Sequence, residues 1–211
     1  VYVHEHLYEA FVEGWVDLTR KYSLGNPLDP GTTLGPVVRT AAADEIRRQV
    51  AATVAAGARA VIDEQQFPAS RPGTPYLAPQ VLLGVDHTMP VMQEEIFGPV
   101  LVVKTYRDVG DCIAYVNARA RPLALYWFGK DDAARDEVLD RTVSGGVTVN
   151  DCLFHFAQMY QPMGGVGASG REDLDEMLRT ARSPGRDHGN AHRIRHRAGQ
   201  RAVEPAQRAV R

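Results

Sequence analysis

The sequence predicts an α/β fold in which a parallel-type sheet is flanked by helices and followed by a disordered basic tail. Between residues 1 and 170, short runs of β-branched residues alternate with longer runs whose apolar residues recur at helical spacing. This alternation of strand and helix is typical of a parallel sheet with crossover helices. Residues 171–211 contain ten arginines, no lysine and no aromatic residue. Such a segment buries too little apolar area to offset the entropy of ordering it.

The chain begins with a predicted strand, "VYVH" at residues 1–4. A helix is predicted over residues 6–22, where four apolar residues recur at helical spacing: Leu7, Phe11, Trp15 and Leu18. The following segment, "LGNPLDPGTTLGP" at 24–36, combines prolines with glycines, and proline cannot continue a helix. The sequence therefore predicts one strand and one helix, then a loop.

A second helix is predicted over residues 41–57, with Ile46, Val50 and Val54 on one face. Gly57 is a suitable residue to end it, because glycine readily adopts the left-handed conformation that follows many helices. The remaining elements in order are a strand at 58–63, an extended segment at 76–83, a strand at 100–106, a helix at 108–118, a strand at 123–128, a helix at 131–143 and a strand at 146–150.

Composition excludes several classes of protein. No apolar run reaches the length of about 18 residues that a bilayer span requires, and residues 1–20 lack the pattern of a secretory signal. The two cysteines, Cys112 and Cys152, have neither disulfide-framework nor zinc-site spacing. We therefore expect a cytoplasmic protein that does not interact with membranes.

Eight segments, in order and with ordinary spacing, resemble successive blocks of the aldehyde dehydrogenase superfamily: "YVHE", "LGNPLDPGTTLGP", "AGARAVID", "PYLAPQVL", "MQEEIFGPVL", "YVNARARPLALYWFGKD", "SGGVTVND" and "PMGGVGASG". Residues 92–170 resemble the coniferyl aldehyde dehydrogenase branch in particular. The resemblance implies that residues 1–170 form part of a catalytic domain. Residues 171–211 are then a separate arginine-rich tail, either disordered or read out of frame.

The resemblance implies a nicotinamide cofactor, NAD or NADP, and assigns two cofactor-binding residues in "QEEIFGP" at 93–99. Glu95 would accept hydrogen bonds from the hydroxyls of the nicotinamide ribose, a role that suits a carboxylate because it has two acceptor oxygens. Phe97 would form an apolar wall near the nicotinamide ring. On the pattern alone, the alternative is that Glu94 and Glu95 form a solvated surface pair and Phe97 belongs to the core.

By the same resemblance, the segment after the last strand lines the entrance for the aldehyde. Four residues would bind this substrate, which we expect to be an aromatic or long apolar aldehyde: Asp151, Phe154, His155 and Phe156. The alternative is a structural role, since aromatic residues that follow a strand usually pack into a core.

Family enzymes use a cysteine thiolate to attack the aldehyde, NAD(P)+ to accept hydride, and a glutamate base to activate water. The resemblance places this cysteine and this glutamate upstream of residue 1, so we expect no catalytic residue in the chain and no activity from it alone. Neither Cys112 nor Cys152 matches the nucleophile block. Full-length relatives are expected to be homo-oligomers.

The alternative function is that of a non-catalytic relic scaffold whose basic tail binds polyanions. The total charge of −2 is the sum of two parts of opposite sign. The tail is basic, with ten arginines against six acidic residues, and residues 1–170 are acidic. Arginines attract phosphate groups regardless of sequence, but base stacking needs aromatic side chains, which the tail lacks. We therefore expect no specific nucleic-acid partner.

Overall fold

The computed structural model describes residues 1–157 and 164–170. The described residues form two compact units, one ending at Arg107 and the other beginning at Asp108. The predicted tail at 171–211 and Met163 of the "PMGGVGASG" segment lie outside the described residues.

The first unit is built on a four-stranded sheet. Its elements in chain order are β1 (Tyr2–His4), α1 (Tyr8–Thr19), α2 (Thr40–Ala55), β2 (Arg59–Ala60), β3 (Gln80–Leu83) and β4 (Val100–Tyr106). Three short 3-10 turns accompany them: Glu5–Leu7, Glu64–Gln66 and Pro90–Met92. The strand order is β1-β4-β3-β2, and β4 lies parallel to both β1 and β3. The predicted parallel-type sheet flanked by helices is confirmed.

The strand predicted at 58–63 is shorter in the structure, where β2 covers two residues and runs antiparallel to β3. The reason lies in the buried side chain of Gln80. Its amide oxygen accepts from the backbone N–H of Ile62 at 3.2 Å, and its amide nitrogen donates to the backbone oxygen of Ile62 at 2.8 Å. A side chain therefore satisfies the backbone groups of Ile62 that a longer strand would pair.

The two helices of this unit are confirmed, but each buries a face that differs in part from the apolar stripe in the sequence. In α1 the buried residues are Val16 and Thr19, whereas Trp15, Leu18 and Leu7 of the preceding 3-10 turn are exposed. In α2 the buried face consists of Ala43, Ile46, Gln49 and Thr53, and Val54 is exposed. Gly57 has a φ of 108°, so it ends α2 in the way predicted.

The core of the first unit occupies both faces of the sheet, because successive side chains of a strand point to opposite sides. Val81 and Leu83 belong to one buried cluster, together with Val3, Phe67 and Val103. Leu82 belongs to the other, in which the buried residues are Ala58, Leu82, Val85, Met89 and Val91. The second cluster matters for the candidate site, because the segment before β4 packs against it.

The second unit contains two parallel strands and two helices among its described residues: α3 (Val109–Asn117), β5 (Ala124–Trp127), α4 (Asp132–Arg141) and β6 (Gly146–Val149). A 3-10 turn covers Gly167–Ser169. Each helix begins at an aspartate cap: Asp108 accepts from the N–H of Gly110, and Asp131 accepts from that of Ala134. The carboxyl ends of β5 and β6 lie side by side, with Trp127 paired to Val149.

Candidate functional site

The segment 93–99 is anchored on both sides of Phe97. Ile96 is partly buried and packs against the second core cluster. Gly98 approaches α2 so closely that a Cβ atom at this position would lie 2.6 Å from Cδ1 of Ile46. A larger residue would displace the end of the Ile46 side chain, so the segment packs closely against α2 before β4 begins.

Glu95 and Phe97 point outward on either side of the anchored Ile96. The Phe97 side chain is 81% exposed, and the Glu95 carboxylate has no hydrogen bond or ion pair with any residue that the structure describes. Residue 96 is partly buried between two exposed neighbours, an arrangement that an extended backbone produces. The interpretation of Phe97 as a core residue is therefore wrong for this unit. An acceptor-only carboxylate and an apolar ring lie together on one surface.

Glu94 differs from Glu95 because it interacts with α2. The buried Gln49 amide nitrogen donates to Glu45 at 2.9 Å and lies 3.5 Å from a carboxylate oxygen of Glu94. The hydrogen bond from Arg48 holds the pKa of Glu45 below its ordinary value. The sequence did not single out Gln49, a polar residue on the buried face of α2. Its contacts distinguish the two adjacent glutamates.

In the second unit, Asn150 directly follows β6 and adopts the left-handed conformation, with a φ of 57°. Its side-chain oxygen accepts from the N–H of Gly129 at 2.8 Å, and its side-chain nitrogen donates to the Gly129 oxygen at 3.1 Å. The backbone N–H of Asn150 donates to Trp127 at 2.7 Å. Asn150 therefore joins the ends of β5 and β6. An asparagine after a strand is a signal for this conformation, because Asn tolerates positive φ better than most residues do.

The predicted aldehyde-binding residues follow Asn150 directly. The Asp151 carboxylate accepts from the N–H of Cys152 at 2.7 Å. Phe154 and Phe156 are 55% and 48% exposed. Within the described part of this unit, these two rings form an apolar surface rather than a core.

His155 is placed differently from its neighbours. Its ring contacts Tyr126 and Phe156, with ring centroids 5.7 Å and 6.2 Å apart, and its Nδ1 atom lies 3.0 Å from Oγ1 of Thr148. Burial lowers the pKa of the imidazole. His155, one of the four residues predicted to bind aldehyde, therefore packs against β6.

The two predicted surfaces belong to different units. Glu95 and Phe97 lie in Val1–Arg107, and the residues from Asp151 to Phe156 lie in Asp108–Arg211. Each set therefore lies within a single unit.

Neither cysteine is placed as an activated nucleophile. Burial, together with the nearby Asp111 and Asp108 carboxylates, raises the pKa of the Cys112 thiol to about 11. Cys152 is exposed. Within the described residues, its thiol makes no hydrogen bond to a base.

Two further features are absent from residues 1–157 and 164–170. These residues contain no group of three or more His, Cys, Asp or Glu side chains that could hold a metal ion. Every helix among them is too short or too polar to cross a membrane.

Comparison with curated proteins shows two kinds of similarity. The probable coniferyl aldehyde dehydrogenase of Caulobacter vibrioides is 58% identical over 94 residues, which are 44% of this chain and 19% of that protein. Aldehyde dehydrogenase family 3 comG of Dictyostelium discoideum is 34% identical over 169 residues, which are 80% of this chain and 34% of that protein. The chain thus spans about a third or less of the length of these relatives. The predicted resemblance to the coniferyl aldehyde dehydrogenase branch is confirmed.

Solved structures agree with these relatives. Aldehyde dehydrogenase 21 of Physcomitrella patens, in complex with the reaction product succinate, superposes with a TM-score of 0.70 at 32% identity. The match covers 80% of this chain and 34% of that one. Betaine aldehyde dehydrogenase of Staphylococcus aureus in complex with NAD+ gives a TM-score of 0.69 at 28% identity, covering 83% of this chain and 36% of that one.

The family model described as "Aldehyde dehydrogenase family" matches residues 1–181. This range includes both candidate surfaces and runs past Gly170, where the sequence pattern placed the start of the tail. The chain belongs to the aldehyde dehydrogenase family.

Proposed function

We propose that this chain is part of an NAD(P)-dependent aldehyde dehydrogenase, in which it supplies a surface for the nicotinamide end of the cofactor and a wall for the aldehyde. Family membership supports the reaction class. A solved relative in complex with NAD+ supports a nicotinamide cofactor. The proposal assigns Glu95 and Phe97 to the cofactor, and Asp151, Phe154, His155 and Phe156 to the aldehyde side.

The observation that carries this proposal is the outward-facing pair of Glu95 and Phe97. A carboxylate without a protein partner among the described residues can accept two hydrogen bonds from a vicinal diol. A phenyl ring that is 81% exposed can cover one face of a flat heterocycle. The pair therefore fits a nicotinamide riboside. When bound, this cofactor accepts a hydride from the aldehyde carbon, while the protein holds and orients it.

The aldehyde wall is proposed to favour aromatic substrates. Phe154 and Phe156 expose about half of their surfaces within the described unit, and aromatic rings stack favourably with other aromatic rings. The coniferyl aldehyde dehydrogenases among the relatives carry an aromatic aldehyde in their names.

We propose that neither cysteine of this chain performs the covalent step. The Cys112 thiol, with a pKa of about 11, stays protonated at neutral pH, and the thiolate is the reactive form. Cys152 has no activating hydrogen bond among those of the described residues. We expect the purified 211-residue chain to oxidise no aldehyde by itself. NAD(P)+-dependent turnover that is lost in Cys152→Ser would contradict this assignment.

Two further properties belong to the same proposal. A cytoplasmic location agrees with two unpaired cysteines, because thiols stay reduced there. Assembly into a homo-oligomer is proposed from the resemblance to full-length family members.

Cofactor binding can be measured on the chain itself by saturation-transfer NMR with NAD+ and with NADP+. We expect at least one nucleotide to receive saturation at its nicotinamide ribose protons. Glu95→Gln and Phe97→Ala should each weaken this binding, because each removes one side of the surface. Glu94→Gln is the matched control and should bind like the wild type. Equal binding by the wild type and Glu95→Gln, or no binding of either nucleotide, would overturn the assignment of this surface.

A further inference from the structure

The segment after β6 is attached to the sheet at two points, and its exposed aromatic rings lie near the second of them. The first point is Asn150, whose amide group makes two hydrogen bonds to the backbone of Gly129. The second point is His155. Leu153, between the two points, also has a positive φ of 65°, so the backbone turns sharply within the segment. A segment attached in this way presents its side chains in a defined arrangement.

His155 makes its attachment through a single hydroxyl group. The backbone N–H of His155 donates to Oγ1 of Thr148 at 3.3 Å, and the ring nitrogen Nδ1 lies 3.0 Å from the same oxygen. Since Oγ1 accepts from the backbone N–H, its own proton is available to donate to Nδ1. With Oγ1 as the donor, the imidazole is neutral and carries its proton on Nε2. The lowered pKa of His155, which burial causes, agrees with this state.

Gly146 provides the space for the imidazole ring. A Cβ atom at this position would lie 2.5 Å from Cδ2 of His155 and 3.0 Å from its Cγ. Gly146 and Thr148 are two residues apart on β6, so both face the same side of the strand. A glycine that admits the ring and a buried threonine that binds it together form a receptor for this one side chain. The neighbours Phe154 and Phe156 make no comparable contact with β6 among the described residues and remain exposed.

We propose that His155 is a positioning residue. By binding to Thr148 over Gly146, it holds residues 151–157 in the arrangement that presents Phe154 and Phe156 to an aromatic aldehyde. The choice of ligand rests on the proposed function, whereas the attachment is a property of this chain. It follows that loss of the attachment should reduce the preference for aromatic over short aliphatic ligands.

The attachment is tested by hydrogen exchange on the 211-residue chain. Thr148→Val keeps the β-branched shape and removes the hydroxyl, and His155→Leu removes the ring nitrogen. In both variants we expect the backbone N–H of residue 155 to exchange at least tenfold faster than in the wild type. His155→Asn should retain most of the protection, because its side-chain oxygen can accept from Thr148 in place of Nδ1. Cys152→Ser is the control within the same segment and should not change the exchange rate.

Exchange at the backbone N–H groups of β5 and β6 reports whether the sheet stays folded. If Thr148→Val unfolds these strands, the comparison of His155→Leu with His155→Asn decides the question, since both leave β6 unchanged. Equal exchange rates for wild type, His155→Leu and His155→Asn would overturn the proposal.

Ligand preference is tested with two unreactive probes, cinnamamide for the aromatic class and butyramide for the aliphatic class. In saturation-transfer NMR we expect the wild type to bind cinnamamide and to bind butyramide at least fivefold more weakly. His155→Leu should lose this preference, and His155→Asn should keep it. A preference that is absent in the wild type, or unchanged in His155→Leu, would overturn the proposal. Since nucleotide binding at Glu95 is measured separately, failure of this test is distinguishable from failure of the proposed function.

Discussion

Gly98 and Ile96 determine the direction of the two side chains that we assign to the cofactor. Ile96 is partly buried against the second core cluster, and its neighbours Glu95 and Phe97 are exposed on either side of it. Gly98 lets the backbone come against Ile46 of α2, at a distance that excludes a Cβ atom. At the scale of single residues, the contacts of Ile96 and Gly98 with the core and with α2 therefore leave the Glu95 and Phe97 side chains exposed.

Gly98→Ala tests this packing. The added methyl group would lie 2.6 Å from Cδ1 of the buried Ile46 side chain, which must shift to make room for it. We expect the free energy of unfolding to fall by about 1–3 kcal/mol, as measured by urea denaturation. Gly14→Ala is the control, because nothing lies within 4 Å of the added methyl group in α1. That change should stabilise the protein by about 0.5–1 kcal/mol, because alanine is the better helix former. Equal effects of the two substitutions would contradict the account.

The two thiols should differ in their rates of alkylation at a given pH. The Cys112 thiol has a raised pKa of about 11, mainly because of its burial, so its thiolate is scarce until the pH approaches that value. We expect iodoacetamide at pH 8 to modify the exposed Cys152 first, as identified by mass spectrometry. Modification of Cys112 at pH 8 as fast as that of Cys152 would show that burial does not control its reactivity.

The raised pKa of Cys112 also affects stability. The folded state keeps this thiol protonated at a pH at which the unfolded chain has already lost the proton. The stabilising contribution is therefore complete below the unfolded pKa and decreases as the pH rises toward about 11. As the pH rises through this range, the melting temperature of Cys112→Ser should fall less than that of the wild type. Thermal denaturation at a series of pH values measures this difference.

At the scale of elements, the predicted strands and helices are present in the structure. They could be predicted because the spacing of apolar residues and the positions of turn residues depend only on the local sequence. The strand predicted at 100–106 has these bounds in the structure, and the helix predicted at 108–118 differs by one residue at each end. The prediction failed at β2, because the buried Gln80 side chain takes the place of a strand partner. It also missed the buried face of α1. A single sequence does not show which side of a helix the sheet will cover.

Gln80→Leu tests the explanation for β2. The substitution leaves the backbone N–H and oxygen of Ile62 without their partners in a buried environment, where Ile62 is 4% exposed. We expect a loss of about 1–3 kcal/mol in the free energy of unfolding for each group left unpaired. Gln65→Leu is the control, since this nearby glutamine is exposed in a 3-10 turn and should change stability little. If Gln80→Leu were as stable as the wild type, the shortened strand would need another explanation.

At the scale of the whole molecule, the two candidate surfaces belong to two different compact units. Their residues could be chosen from the sequence because the family resemblance supplied the roles of Glu95 and of the segment after β6. The resemblance did not separate residues that face a ligand from residues that hold the segment. The resemblance placed His155 in the wall, whereas in the structure His155, like Asn150, makes hydrogen bonds that attach this segment.

The role of Glu95 in hydride transfer is the central claim, and a single-turnover experiment tests it most directly. The measurement is the rate of NAD(P)H formation in a complete aldehyde dehydrogenase rebuilt around residues 1–170 of this chain. Hydrogen bonds to a charged group contribute about 1.5–3 kcal/mol. We therefore expect Glu95→Gln to slow the hydride step about tenfold or more, since about 1.4 kcal/mol is a factor of ten. Glu94→Gln should have a milder effect, because Glu94 lies near Gln49 of α2. A slow hydride step in Glu94→Gln together with an unchanged rate in Glu95→Gln would contradict the account.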